Sequence, residues 1–357
     1  MTLTIDRQNK TRALKDDFMM RTLLLLFCSL LMSTISYAAE PGDHVIRKPY
    51  IGGDGGWDYL TVDSAARRMY ISRNSHVMVV DIDTEKLVGD IPGTPGVHGI
   101  ALAPELKRGF ISNGKADTAT IFDLNTLKAL GRVKTGTNPD AILYDPATKR
   151  VFTFNGRSKD ATVFDALSFK VLGTIALGGK PEFAATDGRG KVYVNIEDTS
   201  EVVEIDSLRS MVIKRTSLKP CEEPTGMAID AEHHRVFTGC RSKVMAVLDT
   251  ETGKMLAFIP IGEGVDGNGF DPGTALAFSS NGDGTLTVVR EASPGKFEVV
   301  ETVATQRGSR TMAIDPTTHK IFLPAAEFAP PLPATPKAPK PRPTMIKDSF
   351  TILVVGR

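Results

Sequence analysis

Seven side chains able to bind an ion, accept a proton or anchor a ligand recur at a near-constant interval. They are Asp58, His98, Asp140, Glu182, Thr225, Asp266 and Arg310, separated by 40, 42, 42, 43, 41 and 44 residues. Four carboxylates, an imidazole, a hydroxyl and a guanidinium converging on one point would make a polar site that packing alone does not require. Asp140, Glu182 and Asp266 could share a hard cation such as calcium, since carboxylate oxygens are its ligands. The spacing is not that of an EF-hand loop, and Arg310 would compete with the ion. Trp57, the single tryptophan, precedes Asp58 and offers a stacking face, while Asn113, Asn155, Arg157 and Arg241 fall where the chain returns to the same region. No nucleophile elbow, HExxH, CxxC or CxxCH string is present. A binding site is therefore expected in preference to a catalytic one.

Residues so far apart meet only if the elements between them repeat. From Asn138 to Gly179 the chain carries four short apolar runs, Ala141–Tyr144, Val151–Phe154, Thr162–Phe164 and Val171–Leu177. Asp145-Pro146, Asn155-Gly156 and Gly178-Gly179 punctuate them. Short runs rich in Val, Ile, Thr and Phe between turn residues read as strands. Four strands in about 40 residues form one meander sheet, which cannot bury both faces without neighbours like itself. The core of the unit recurs as VDSAARRMYIS, LAPELKRGFIS, YDPATKRVFTF, TDGRGKVYVN, IDAEHHRVFTG, FDPGTALAFSS and IDPTTHKIFLP. Seven such units predict an all-β, seven-bladed β-propeller with four-stranded antiparallel blades. The last unit lacks a fourth strand, and VIRKPYIGG from Val45 matches the fourth-strand segment VLGTIALGG. The N-terminal strand is thus expected to complete the last blade. The seven polar positions, each read as standing just before an innermost strand, then ring the mouth of the central channel.

Other features bound the setting. Residues 1–38 read as a cleaved export signal, with Arg21 before an apolar run from Thr22 to Met32 and the small-residue end Ser36-Tyr37-Ala38. That run is too short to span a bilayer. A periplasmic or secreted protein with no membrane contact after cleavage is expected, and a monomer. Removing five Lys/Arg and three acids changes the formal charge from +1 to −1. Such a balance gives no global attraction to nucleic acid or anionic lipid. In an oxidising compartment Cys221 and Cys240, at one rim of one blade, are expected to pair. Pro324 to Pro343, with eight prolines and Lys337, Lys340 and Arg342, reads as an extended insertion in the last blade, outside any ladder.

The repeat ends on strings such as Phe110-Ile111-Ser112-Asn113, followed by an apolar strand closing on Asp. It resembles the YVTN family of β-propeller repeats, and the chain after residue 38 is similar to the YncE-like periplasmic members. Cys240, Ala325 and Arg73 stand at or near the place of the asparagine. The resemblance implies a propeller that binds a ligand or partner, with single-stranded DNA binding in some relatives and no uniform reaction. The expectation is an exported, non-catalytic propeller binding a protein or small molecule at its channel mouth, without cofactor. A metal-dependent, lactonase-like hydrolase using the channel carboxylates is the first alternative. Single-stranded DNA binding through Trp57 and the rim arginines is the second.

Overall fold

The computed structural model describes residues 42–53, 55–330, 333 and 343–357. The expected export signal lies outside them, as does most of the proline-rich stretch. Among the described residues are seven four-stranded antiparallel sheets. Blades 1 to 6 occupy 60–92, 97–134, 139–176, 181–217, 224–260 and 265–304, and within each the strand order is the order of the chain. Short turns make that meander the cheapest pairing, because closing a short loop costs little entropy. Among the described residues no helix is long and apolar enough to cross a membrane.

The apolar runs sit in the second and third strands, covered on both faces by neighbouring blades. In blade 3, Val151–Phe154 and Ala161–Phe164 are buried throughout, and Phe152, Phe154 and Val163 pack against Val192, Val194 and Val203 of blade 4. Outermost strands such as Val171–Ala176 are exposed at most positions, since their outer edge meets solvent.

The Asp and Arg of the repeat hold blade to blade on the face of the first-to-second-strand turns. Arg68 donates to the carbonyl of Leu124 at 2.7 Å, Arg108 to those of Ala166 and Leu167, and Arg150 to those of Ser207 and Leu208. Asp145 accepts from Thr186 of the next blade at 2.9 Å, and Asp315 pairs with Arg67 of blade 1 at 2.7 Å. The repeated letters are thus the joints of the ring.

Blade 7 closes as expected. Its strands run in the order 313–315, 320–325, 351–356 and 44–47, with His44 opposite Gly356 and Val45 opposite Val355. Phe322 and Phe350 share a core with Met69 and Ile71 of blade 1. The proline-rich stretch starts later than expected: Pro324 and Ala325 belong to the second strand, opposite Ile352 and Thr351. Pro324 is tolerated because the innermost strand pairs only as far as Phe322, and Ile352 turns its N–H to Pro49. The missing donor therefore faces no ladder. The ends of the insertion also pair, through Phe328 opposite Met345 and an Ile346 N–H to the Glu327 carbonyl at 2.8 Å.

Cys221 and Cys240 form a disulfide with Cα atoms 5.6 Å apart. It ties the loop entering blade 5 to the end of its second strand, a closure that stabilises by about 3 kcal/mol on the chain-entropy model.

Candidate functional site

Five of the innermost strands begin two residues earlier than the sequence suggests, whereas Asp58 and Arg310 do precede theirs, which start at Leu60 and Ala313. His98, Asp140, Glu182, Thr225 and Asp266 are second residues of their strands, not residues preceding them. Each lies where the register against the second strand slips. Val97 pairs with Asn113, yet the next pair is Ile100 with Ile111; Pro139 pairs with Asn155, and the next pair is Ile142 with Thr153. A bulge of this kind turns a side chain out of the ladder, here towards the channel. Second-strand hydroxyls hold the backbone at the ring positions. Ser72 Oγ accepts from the N–H groups of Asp58 and Tyr59, at 3.1 and 2.9 Å. Ser112 Oγ donates to the Asp140 carbonyl of the next blade, and Ser280 Oγ to that of Arg310 at 2.6 Å.

Six of the seven ring residues join charge networks. His98 Nδ1 lies 2.6 Å from Asp58 Oδ2 and 3.7 Å from Asp140 Oδ1. Arg310 Nε lies 3.0 Å from Asp266 Oδ2. Lys180 Nζ contacts Glu182 at 2.6 Å and also Glu197, whose other oxygen is 3.5 Å from Arg241. Thr225 is the exception. It is fully buried, and its hydroxyl donates to the Val265 carbonyl at 3.0 Å, so it positions the blade that carries Asp266 and does not face a ligand.

The channel is crowded with carboxyl groups, and their protonation reflects it. Burial raises Asp140, opposed by His98, and burial with the Asp140 charge raises Glu182. Burial, opposed by Arg310, pushes Asp266 up to about 6. Burial works against a charged His98, but the hydrogen bond to Asp58 and the charge of Asp140 outweigh it and push His98 up to about 9. Lys180 favours the charged form of both its partners. Glu197, despite burial, is held below the usual range by that bond, whereas in Glu182 desolvation and Asp140 prevail.

Among the described residues, the His and carboxylate group with all ligand atoms within 4.8 Å is Asp58, His98 and Asp140. This is not the expected trio: Glu182 is engaged by Lys180 and Asp266 by Arg310. An imidazole with two carboxylates suits a transition metal better than calcium, which prefers oxygen donors only.

The remaining expected residues divide. Asn113 and Asn155 are fully buried and turned into their own blades. Asn113 donates to Thr118 and Thr120 hydroxyls at 3.1 and 2.9 Å, and Asn155 to Asp160 and the Thr162 hydroxyl. The repeated asparagine is thus a joint between second and third strands, set by their pairing. Arg157 is exposed and, among the described residues, makes no ion pair; Arg241 reaches the ring through Glu197. Trp57 packs on Phe328 and Phe350 with ring centroids 6.0 and 5.3 Å away.

Sequence reasoning missed Tyr59, Phe183, Lys180 and Glu197. Tyr59 and Phe183 stack across the channel with centroids 4.5 Å apart. Burial first, then Asp140, Asp58, Glu182 and Asp266, raises the Tyr59 hydroxyl well above its ordinary range. A signal existed: the residue after each ring position is Tyr59, Gly99, Ala141, Phe183, Gly226, Gly267 or Thr311. Only two are large. At Gly226 a Cβ would come within 2.7 Å of the Asn268 backbone nitrogen, so small residues there let the innermost strands approach.

No protein-family model and no curated protein matches the chain. Among solved structures it is similar to Kuenenia stuttgartiensis hydrazine synthase, at 15% identity and a TM-score of 0.67, over 76% of this chain and 94% of that one. A likeness at that identity shows the fold alone: a seven-bladed β-propeller.

Proposed function

We propose that this chain is an exported, non-catalytic propeller of the YVTN-repeat kind that captures a ligand or partner at the channel mouth. The observation carrying the reading is the convergence of Asp58, His98, Asp140, Glu182, Asp266 and Arg310, from six blades, on one channel floored by Tyr59 and Phe183. These charges are mutually paired yet partly exposed, with side-chain exposures of 30% for His98 and 54% for Arg310. Groups held this way are pre-organised to exchange a partner for a ligand group. A His98 that keeps its proton to about pH 9 is a hydrogen-bond donor at neutral pH, not a general base. The test is a thermal-shift screen of small molecules and peptides, repeated on Asp58→Asn/Asp140→Asn. Hits that vanish in the folded double variant support the reading. Hits that bind the variant equally well defeat it.

A second reading is a metal-dependent, lactonase-like hydrolase, favoured by the Asp58, His98 and Asp140 cluster. A divalent ion there must displace the His98 proton, so its affinity would rise with pH. Metal analysis at pH 8.5, with zinc, manganese and calcium supplied, tests it together with lactone turnover. No bound ion and no turnover would remove it.

A further inference from the structure

A cleft of about 900 Å³ opens beside the ring, over blade 7. One wall is apolar: Trp57 from the entry to blade 1, and Phe328, Met345 and Ile346 from the paired ends of the insertion. Phe328 and Ile346 are 41% and 44% exposed, a large apolar area left to solvent. The other wall is basic. Arg307 is exposed and, among the described residues, makes no ion pair. Arg310 lines the cleft and reaches the channel, with its Nε 3.0 Å from Asp266 Oδ2. Gln306 also lines the cleft but is tied by its Nε2 to the Ala326 carbonyl at 2.7 Å. Among the described residues, Glu327 is the one acid in the lining, against two guanidinium groups.

The volume falls in the range of small-ligand sites, and an aromatic floor with a few convergent polar groups is the usual lining of one. Guanidinium groups recognise planar anions through paired, charge-assisted hydrogen bonds. We propose that this cleft binds a small amphipathic anion, an organic carboxylate or sulfonate carried on an aromatic or branched apolar body. The apolar part lies on the face made by Trp57, Phe328 and Ile346, and the anionic group meets Arg307 and Arg310. This goes beyond the channel reading, since apart from Arg310 and Trp57 it uses residues outside the ring.

Trp57, the only tryptophan, is a built-in reporter. The full chain is titrated with 8-anilinonaphthalene-1-sulfonate while energy transfer from Trp57 is followed, and the uncharged N-phenyl-1-naphthylamine serves as comparison. Saturable, one-to-one quenching by the sulfonate is expected, with the neutral probe weaker by about tenfold. Arg307→Glu and Phe328→Ala, both exposed and checked by melting, should each weaken the sulfonate by about tenfold or more. Asp140→Asn should leave it within about twofold, which separates failure here from failure at the channel. Non-saturable quenching, equal affinity for the two probes, or indifference to Arg307→Glu would overturn the proposal.

Discussion

The two faces of this propeller use the same repeat to opposite ends. On the face of the first-to-second-strand turns, blades 1 to 3 carry the same residue doing one job: Arg68, Arg108 and Arg150 each bind carbonyls of the following blade. On the channel-mouth face, the equivalent positions carry Asp58, His98, Asp140, Glu182, Thr225, Asp266 and Arg310, and no two neighbouring blades solve their contacts alike. Residues that recur with the same contact mark a structural joint between blades. Divergent polar residues mark a surface whose composition the ring does not dictate. The difference teaches that in a repeat protein the position to suspect is the one that refuses to repeat.

The comparison can be broken by stability measurements. The largest loss should come from Cys221→Ser/Cys240→Ser, because the mouth face of blade 5 depends on that closure. About 3 kcal/mol is expected, read by urea unfolding with and without reductant. Next is the pH dependence of His98. Its folded value of about 9 lies above the ordinary 6.5, so its contribution is whole below about pH 6.5 and fades as pH rises through 9. At 30% side-chain exposure, roughly 2 kcal/mol should be lost between pH 6 and pH 10. His98→Gln should flatten that limb of the profile.

On the turn face, Arg150→Ala should cost about 1–3 kcal/mol by stranding the carbonyl of the buried Ser207, with no change in ligand binding. The smallest effect has the opposite sign. Asp140→Asn removes a carboxylate that burial already disfavours, so it should gain about 1 kcal/mol at pH 7 while lowering the His98 pKa seen by NMR. A turn face indifferent to Arg150→Ala, or a mouth face destabilised by Asp140→Asn, would erase the distinction between them.

Much of this was legible in the chain. Strand turns, period and blade count follow from local pattern, as does closure, because VIRKPYIGG matches the missing fourth strand. Six of the seven ring residues meet in charge networks as alignment implies. Thr225 and the asparagines misled for one reason: alignment gives a residue's height in the blade but not the direction of its side chain. Asn113 and Asn155 point into the sheet because pairing sets Thr118 and Asp160 directly opposite them.

The amino-acid order alone settled how many modules there are, which residues turn the chain and which end closes the circle. Those are local properties, carried by turn residues and by alternation within ten or so positions. Tertiary structure alone decided that Asp58, His98 and Asp140 form the tight cluster, that Tyr59 meets Phe183 and that Arg310 borders a second cleft. Each depends on distances between blades some forty residues apart, fixed by bulges and joints whose geometry exists only once the ring has closed.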